Sequence, residues 1–381
     1  MARVVVRADT RSGRALPSQE LLLKAALFRG DAATSAWNEW IESGDLSALD
    51  PGSQRLLPLL YKNLRAAGIA DRRLDAIKSI YRMSWTKNQF ILAELENVLR
   101  RLEDAGIRTM LLKGVALVHV VYKDRGVRPM TDVDILVPLE RAGDAIDVLE
   151  AHGLHSAHRL PRRLIGVRHA DEFTDGRRLK CDLHWSVLQE CTRPGDNDDF
   201  WVACRELHVG SATTHVLCPA DQLLHVCIHG SRSGMVQPVM WVADAISVIE
   251  SAGNDIDWQR VVAQATKRRL VVPIREALRY LRSEFGAPIP SWVVDRLSDV
   301  HTSRAERLEH RIKLSRRRLV GTLPVLWFDH WRRAEGGTCR KAIGFPRYLQ
   351  ITFRCETLPA LPIAMLGLAG KRIALTLTSR H

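Results

Sequence analysis

The 381-residue chain has no run of 18 or more apolar residues. Its best candidate, Leu358 to Gly370, holds two prolines and falls short of the roughly 20 residues a helix needs to cross a bilayer. The N-terminus, MARVVVRADTRSGRALP, lacks both a long apolar stretch and a small-residue cleavage site, so no secretory signal is expected. Seven cysteines form an odd set without a C-x-x-C pair. That excludes a disulfide framework or a cysteine zinc ribbon and predicts reduced thiols in the cytoplasm. No G-x-x-x-x-G-K-[ST] loop is present, which argues against a P-loop kinase or ATPase. No G-x-S-x-G elbow is present either, and Ser231 and Ser233 beside His229 lack the turn a hydrolase nucleophile needs. Internal repeats and low-complexity tracts are also missing.

What remains is a globular composition, 46% hydrophobic and 26% charged. The length allows two or three modest domains, or one with appendages. The net charge of +13 is unevenly placed: residues 301–381 hold 16 Lys/Arg against 5 Asp/Glu, while residues 1–300 hold 40 against 38. The basic segment interleaves Arg304, Arg307, Arg311, Lys313, Arg316, Arg317, Arg318, Arg332 and Arg333 with Trp327 and Trp331. Such a pattern suits a polyanion or an anionic membrane surface, and equally a solvated helical appendage.

Apolar spacing predicts helices over 18–104, including a long one from Leu74 to Leu102 capped near Gly106, with Asp50-Pro51-Gly52 as a turn. The texture then changes. Ile107–Leu112 reads as a strand, Val115–Tyr122 as a short helix, and Asp132–Val137 as a second strand. Leu139–His152 reads as a helix and Leu179–Trp185 as a further strand, together a compact unit of mixed elements. Helices are predicted again over 221–229, 239–252, 257–267 and 270–285.

Asp132 and Asp134 stand two apart at the start of an apolar strand, so both carboxylates face one side. Two such groups repel and call for a cation. Oxygen ligation suits Mg²⁺ first and Mn²⁺ next. Asp182 can supply a third carboxylate from the later strand, with His184 on its face. Upstream, Lys113-Gly114 joins a strand to a helix, where backbone N–H groups receive phosphate and glycine permits close approach. Lys113 and Arg128 add positive charge. His225 and His229 lie one turn apart on a predicted helix. The spacing admits zinc, a core pair, or a contact to a ligand. Asp244 is a candidate partner for them.

The segments LLKGVALVHVVYKDRGVRPMTDVDILV, LKCDLHW and CPADQLLHVCIHG resemble the bacterial uncharacterised nucleotidyltransferase family, within the DNA polymerase β-like nucleotidyltransferase superfamily. The resemblance covers roughly residues 20–290. It implies an α+β fold, a small mixed β-sheet core flanked by N- and C-terminal helical segments. The expected divisions are a helical region (1–104), the nucleotidyltransferase core (105–215), a helical region packed on it (216–300) and a basic C-terminal appendage (301–381). By resemblance Asp132, Asp134 and Asp182 are catalytic metal ligands, and Lys113, Gly114, Arg128 and Thr131 bind the nucleotide. His184, His225, His229 and Asp244 lie around them or at the acceptor site. One departure stands out: the small polar residue expected after the glycine is Val115.

The activity implied is transfer of a nucleoside monophosphate from an NTP, with ATP the expected donor, to an acceptor hydroxyl on a small molecule, peptide, protein or RNA, with pyrophosphate released. The alternative is a catalytically weak protein of the same fold that binds nucleotide, RNA or another polyanion through its basic tail.

Overall fold

A computed structural model of the protein describes residues 14–159, 161–176, 179–230, 239–314, 322–334, 336–353 and 355–362. Ser231 and Ser233, and the Arg316–Arg318 run, lie outside them. The N-terminal region is helical, as its spacing predicts. α1 (Pro17–Leu27) opens on a proline, with the Gln19 side chain accepting from the Leu16 N–H at 2.9 Å. α2 spans Gly30–Ser43. The Asp50 side chain caps a short α3 (Pro51–Gln54), accepting from Gly52 and Ser53 N–H, so the expected turn is also a helix start. α4 (Leu57–Ala66) follows, then the 32-residue α5 (Arg73–Asp104), which ends at Gly106 in the left-handed region.

Next comes a mixed sheet of β1 (Met110–Leu112), β2 (Val133–Leu136), β3 (His155–Ser156), β4 (Ala170–Thr174), β5 (Lys180–His184), β6 (Arg205–Val209) and β7 (Ala212–Val216). Their order is β3-β4-β5-β2-β1-β7-β6. β1 runs antiparallel to β2 and parallel to β7, while β2 runs parallel to β5. α6 (Lys113–Leu117), continued by a π turn over Val118–Tyr122, lies between β1 and β2, and α7 (Ala142–Ala151) follows β2.

The pleat decides which face carries chemistry. Leu111, Val133, Ile135, Cys181 and Leu183 share one buried cluster with Leu95 and Leu99 of α5 and Leu149 of α7. Alternation then turns Asp134, Asp182 and His184 to the opposite face. Met110, Leu112 and Leu136 on that face join a second cluster. That cluster draws on α1, α2, α4 and α5 and also on the later helices α9 (Pro219–Gly230), α10 (Met240–Ala252), α11 (Trp258–Lys267), α12 (Val271–Phe285) and α13 (Ser291–Asp299). A short α8 (Asp198–Ala203) precedes β6. The helices before and after the sheet therefore share one core.

The basic segment forms α14 (Arg304–Leu314), α15 (Thr322–Arg333) and α16 (Thr338–Thr352). Its aromatics pack together, with ring centroids 5.0 Å apart for Trp327 and Phe345. Lys313 meets Glu190 at 3.0 Å, Glu309 at 2.8 Å and Asp329 at 3.3 Å. Arg332 pairs with Glu309 at 2.8 Å and donates to the Arg268 carbonyl at 2.7 Å. Among the described residues no helix is long and apolar enough to cross a membrane.

Candidate active site

The functional side chains meet above the centre of the sheet. In the parallel ladder Asp134 of β2 is paired with Asp182 of β5, and Leu136 with His184. Ligand atoms of Asp134, Asp182 and His184 all lie within 4.8 Å of one another. Asp132 stands one residue before β2, partly exposed, and is not part of that close set. Lys113 follows the last residue of β1, whose partner across the ladder is Asp134. Its Nζ donates to Asp134 Oδ1 at 2.5 Å, and His184 Nε2 reaches the same oxygen at 3.0 Å.

Burial by itself would raise the Asp134 carboxyl, which is 3% exposed. The Lys113 charge and the His184 hydrogen bond outweigh it, and hold the carboxyl well below the usual carboxylate range. Asp182 goes the other way. Burial, with the Asp134 charge alongside, pushes it up to about 7. Burial and the nearby Lys113 charge lower His184, so its imidazole is neutral and donates from Nε2. Burial and the neighbouring His229 lower His225 further still. Two carboxylates and an imidazole this close together are a donor set that can hold a metal ion.

A cavity of about 520 Å³ opens over this cluster. Ten of the residues picked out in the sequence line it: Lys113, Gly114, Arg128, Thr131, Asp132, Asp134, His184, His225, His229 and Asp244. Asp182 borders it through its contact with the cluster and is not itself among the lining residues. Gly114 has no left-handed φ, and the atoms nearest to a Cβ there would be Met130 Cγ at 3.6 Å and Arg128 Cζ and Nη1 at 3.8 Å. Thr131 Oγ1 donates to Asp132 Oδ1 at 3.2 Å.

Two residues take different partners from those expected. Arg128, a candidate phosphate contact, is 8% exposed and grips Asp244 of α10 through Nε at 2.9 Å and Nη2 at 3.0 Å. Asp244, a candidate histidine partner, also accepts from the Tyr122 hydroxyl at 2.7 Å. The pair anchors the loop before β2 to α10. From the other side Asn88 of α5 donates to the Arg128 carbonyl at 2.9 Å and accepts from Met130 N–H at 3.2 Å. The His225 and His229 rings lie 6.2 Å apart and nearly parallel on α9, outside the close donor cluster.

Sequence reasoning missed other lining residues: Gly52 and Arg55 from the N-terminal helices, His169, Gln189, and Trp241 of α10. Arg55 Nη2 donates to the Pro129 carbonyl at 3.3 Å, which ties it to the same loop. No local pattern marks these residues, since they reach the cavity only through tertiary packing. Val115 is 1% exposed and packs into the sheet core, so a hydroxyl at that position would point away from the cavity.

Comparison with curated proteins gives no match. A family model described as uncharacterised nucleotidyltransferase matches residues 52–286, a span that holds all of the sheet, the close donor cluster and every cavity-lining residue. With more than half of the chain matched, the protein belongs to this uncharacterised nucleotidyltransferase family.

Proposed function

We propose that the protein transfers a nucleoside monophosphate from an NTP, with ATP the expected donor, to an acceptor hydroxyl. The observation that carries this reading is the Asp134–Asp182–His184 cluster, whose Asp134 and His184 line one cavity with Lys113 and Gly114. Asp134 and Asp182, with Asp132 near them, would hold Mg²⁺, or Mn²⁺ in its place. Such an ion supplies charge neutralisation at the phosphates and activation of the attacking oxygen.

The protein's own groups do the remaining work. Lys113 and the Gly114 backbone take the triphosphate, and Thr131 borders it. The acceptor oxygen attacks the α-phosphorus as the bond to the bridging oxygen breaks, and pyrophosphate departs with that electron pair. Asp182, beside Asp134 in the ladder, receives the hydroxyl proton. His225 and His229, with Trp241, wall the side where the acceptor enters. A cavity of about 520 Å³ lies within the range of about 300–1,000 Å³ typical of small-molecule sites, which favours a small acceptor or a single protruding group. The odd cysteine set without a C-x-x-C pair supports a cytoplasmic setting.

The test is thermal stability with Mg²⁺ and each of four NTPs, for wild type and Asp134→Asn. Ligand at about 100 times its dissociation constant adds about 2.7 kcal/mol. Metal-dependent stabilisation in the wild type that disappears in the variant supports the reading. An absence of stabilisation with every NTP refutes it.

A further inference from the structure

Lys113 occupies an unusual position for a phosphate ligand. Its ammonium sits 2.5 Å from Asp134 Oδ1, the carboxylate at the heart of the donor cluster. The lysine side chain is 22% exposed and that of the aspartate 5%. The contact is therefore a largely buried ion pair open to the cavity on the lysine side. Lys113 also has a φ of 50°, in the left-handed region that a non-glycine residue enters at a cost in strain. Gly114 next to it, the residue that could take such a φ freely, does not. The chain thus keeps a strained lysine at the strand–helix junction, with its ammonium on Asp134.

We propose that Lys113 is a stand-in cation for the metal: its ammonium occupies Asp134 Oδ1 in place of a divalent ion, and must leave that oxygen for the triphosphate before the ion binds tightly. This rests on the reading of Asp134 as a metal ligand. A buried carboxylate needs a compensating positive charge, and Lys113 provides one. An ammonium and a dication on the same carboxylate repel each other, so the two compete. An arriving triphosphate offers the ammonium several anionic oxygens and draws it away. Metal and nucleotide therefore bind with positive coupling, each raising the affinity for the other by the same factor. The metal alone binds weakly, which keeps the site from filling without its nucleotide. Lys113 acts here as a positioning residue that sets the order of binding.

Equilibrium binding of Mn²⁺ alone, followed by the electron paramagnetic resonance of the free ion in mildly alkaline buffer, tests this without any turnover. Lys113→Gln should bind Mn²⁺ roughly ten- to a hundredfold more tightly than wild type, the scale on which a neighbouring cation shifts a carboxylate's proton affinity. Lys113→Met should do the same, while Lys113→Arg, which keeps the charge, should stay as weak as wild type. Circular dichroism establishes that each variant is folded. Unchanged or weaker Mn²⁺ binding in folded Lys113→Gln and Lys113→Met, with binding lost in Asp134→Asn, overturns the stand-in role alone. Wild-type Mn²⁺ affinity in Asp134→Asn instead overturns the metal-site reading beneath it.

Discussion

Gly114→Ala separates what the fold needs from what the ligand needs. Nothing in the protein demands a glycine there: φ is ordinary, and the nearest atoms a methyl would meet stand at 3.6 Å and 3.8 Å, normal contact distances. Glycine inside a helix costs roughly 0.5–1 kcal/mol relative to alanine. The substitution in α6 should therefore leave stability unchanged or raise it by up to about 1 kcal/mol. In domains of 150–250 residues that corresponds to about 2–4 °C in Tm, and less in this longer chain. The added methyl faces the cavity, where phosphate is expected to lie against the backbone. Nucleotide affinity should fall at least tenfold, on the order of 1.4 kcal/mol. Differential scanning fluorimetry reads both quantities from one sample set, with and without Mg²⁺-NTP. The expected signature is a Tm equal or higher without ligand and a ligand-induced shift that is sharply reduced. A variant that binds nucleotide as well as wild type would refute the close backbone approach, and one whose unliganded Tm drops would refute the claim that the fold tolerates a side chain there.

The folded Asp182 carboxyl keeps its proton up to about 7, above its value in the unfolded chain. This contribution to stability is full below the unfolded value and lost as pH rises to about 7, so metal-free protein weakens across that window. Metal must expel the same proton, so Mg²⁺ affinity by calorimetry should climb about tenfold per pH unit below 7 and level off above it, and Asp182→Asn should abolish the slope. Arg128→Met strands Asp244, whose side chain is 6% exposed, and should cost about 3–5 kcal/mol in urea unfolding. Arg128→Met/Asp244→Leu should recover much of that loss. Val115→Ser places a hydroxyl in the sheet core and should cost about 1–3 kcal/mol with no gain in nucleotide affinity by titration.

The parts of the fold legible in the sequence were those governed by local periodicity. The 3.6-residue pattern of α5 and α9–α12 and the apolar runs of β1, β2 and β5 fall where spacing puts them. The outer strands β3, β4, β6 and β7 were not legible. Their sequences are short and polar, such as Arg205-Glu206-Leu207-His208-Val209 against Ala212-Thr213-Thr214-His215-Val216, and they become strands by pairing with one another. The site shows the same division. Strand alternation sets Asp132 with Asp134 and Asp182 with His184, each pair on one side, while the meeting of Asp134 with Asp182 comes from the parallel β2–β5 ladder. The engagement of Arg128 with Asp244 was not legible, because its partner lies 116 residues away. Val115 looked like a missing hydroxyl in a linear motif, and only its burial in the sheet core removes that significance.

The basic C-terminal segment is where charge counting and structure meet most usefully. Counted along the chain, it is a lone concentration of positive charge. In the fold, Lys313 and Arg332 answer carboxylates, Glu190 among them from the body. Arg193 of the body donates to the Arg333 and Ala334 carbonyls at 3.1 Å and 3.0 Å. These contacts reach the cavity itself, because Gln189, which lines it, donates through Nε2 to Asp329 of α15 at 3.3 Å. The described part of the segment therefore braces the cavity wall after β5, and its lysine and arginine compensate acidic groups. The near-neutral body and the basic tail thus meet along a seam built by Gln189, Glu190 and Arg193 on the body side.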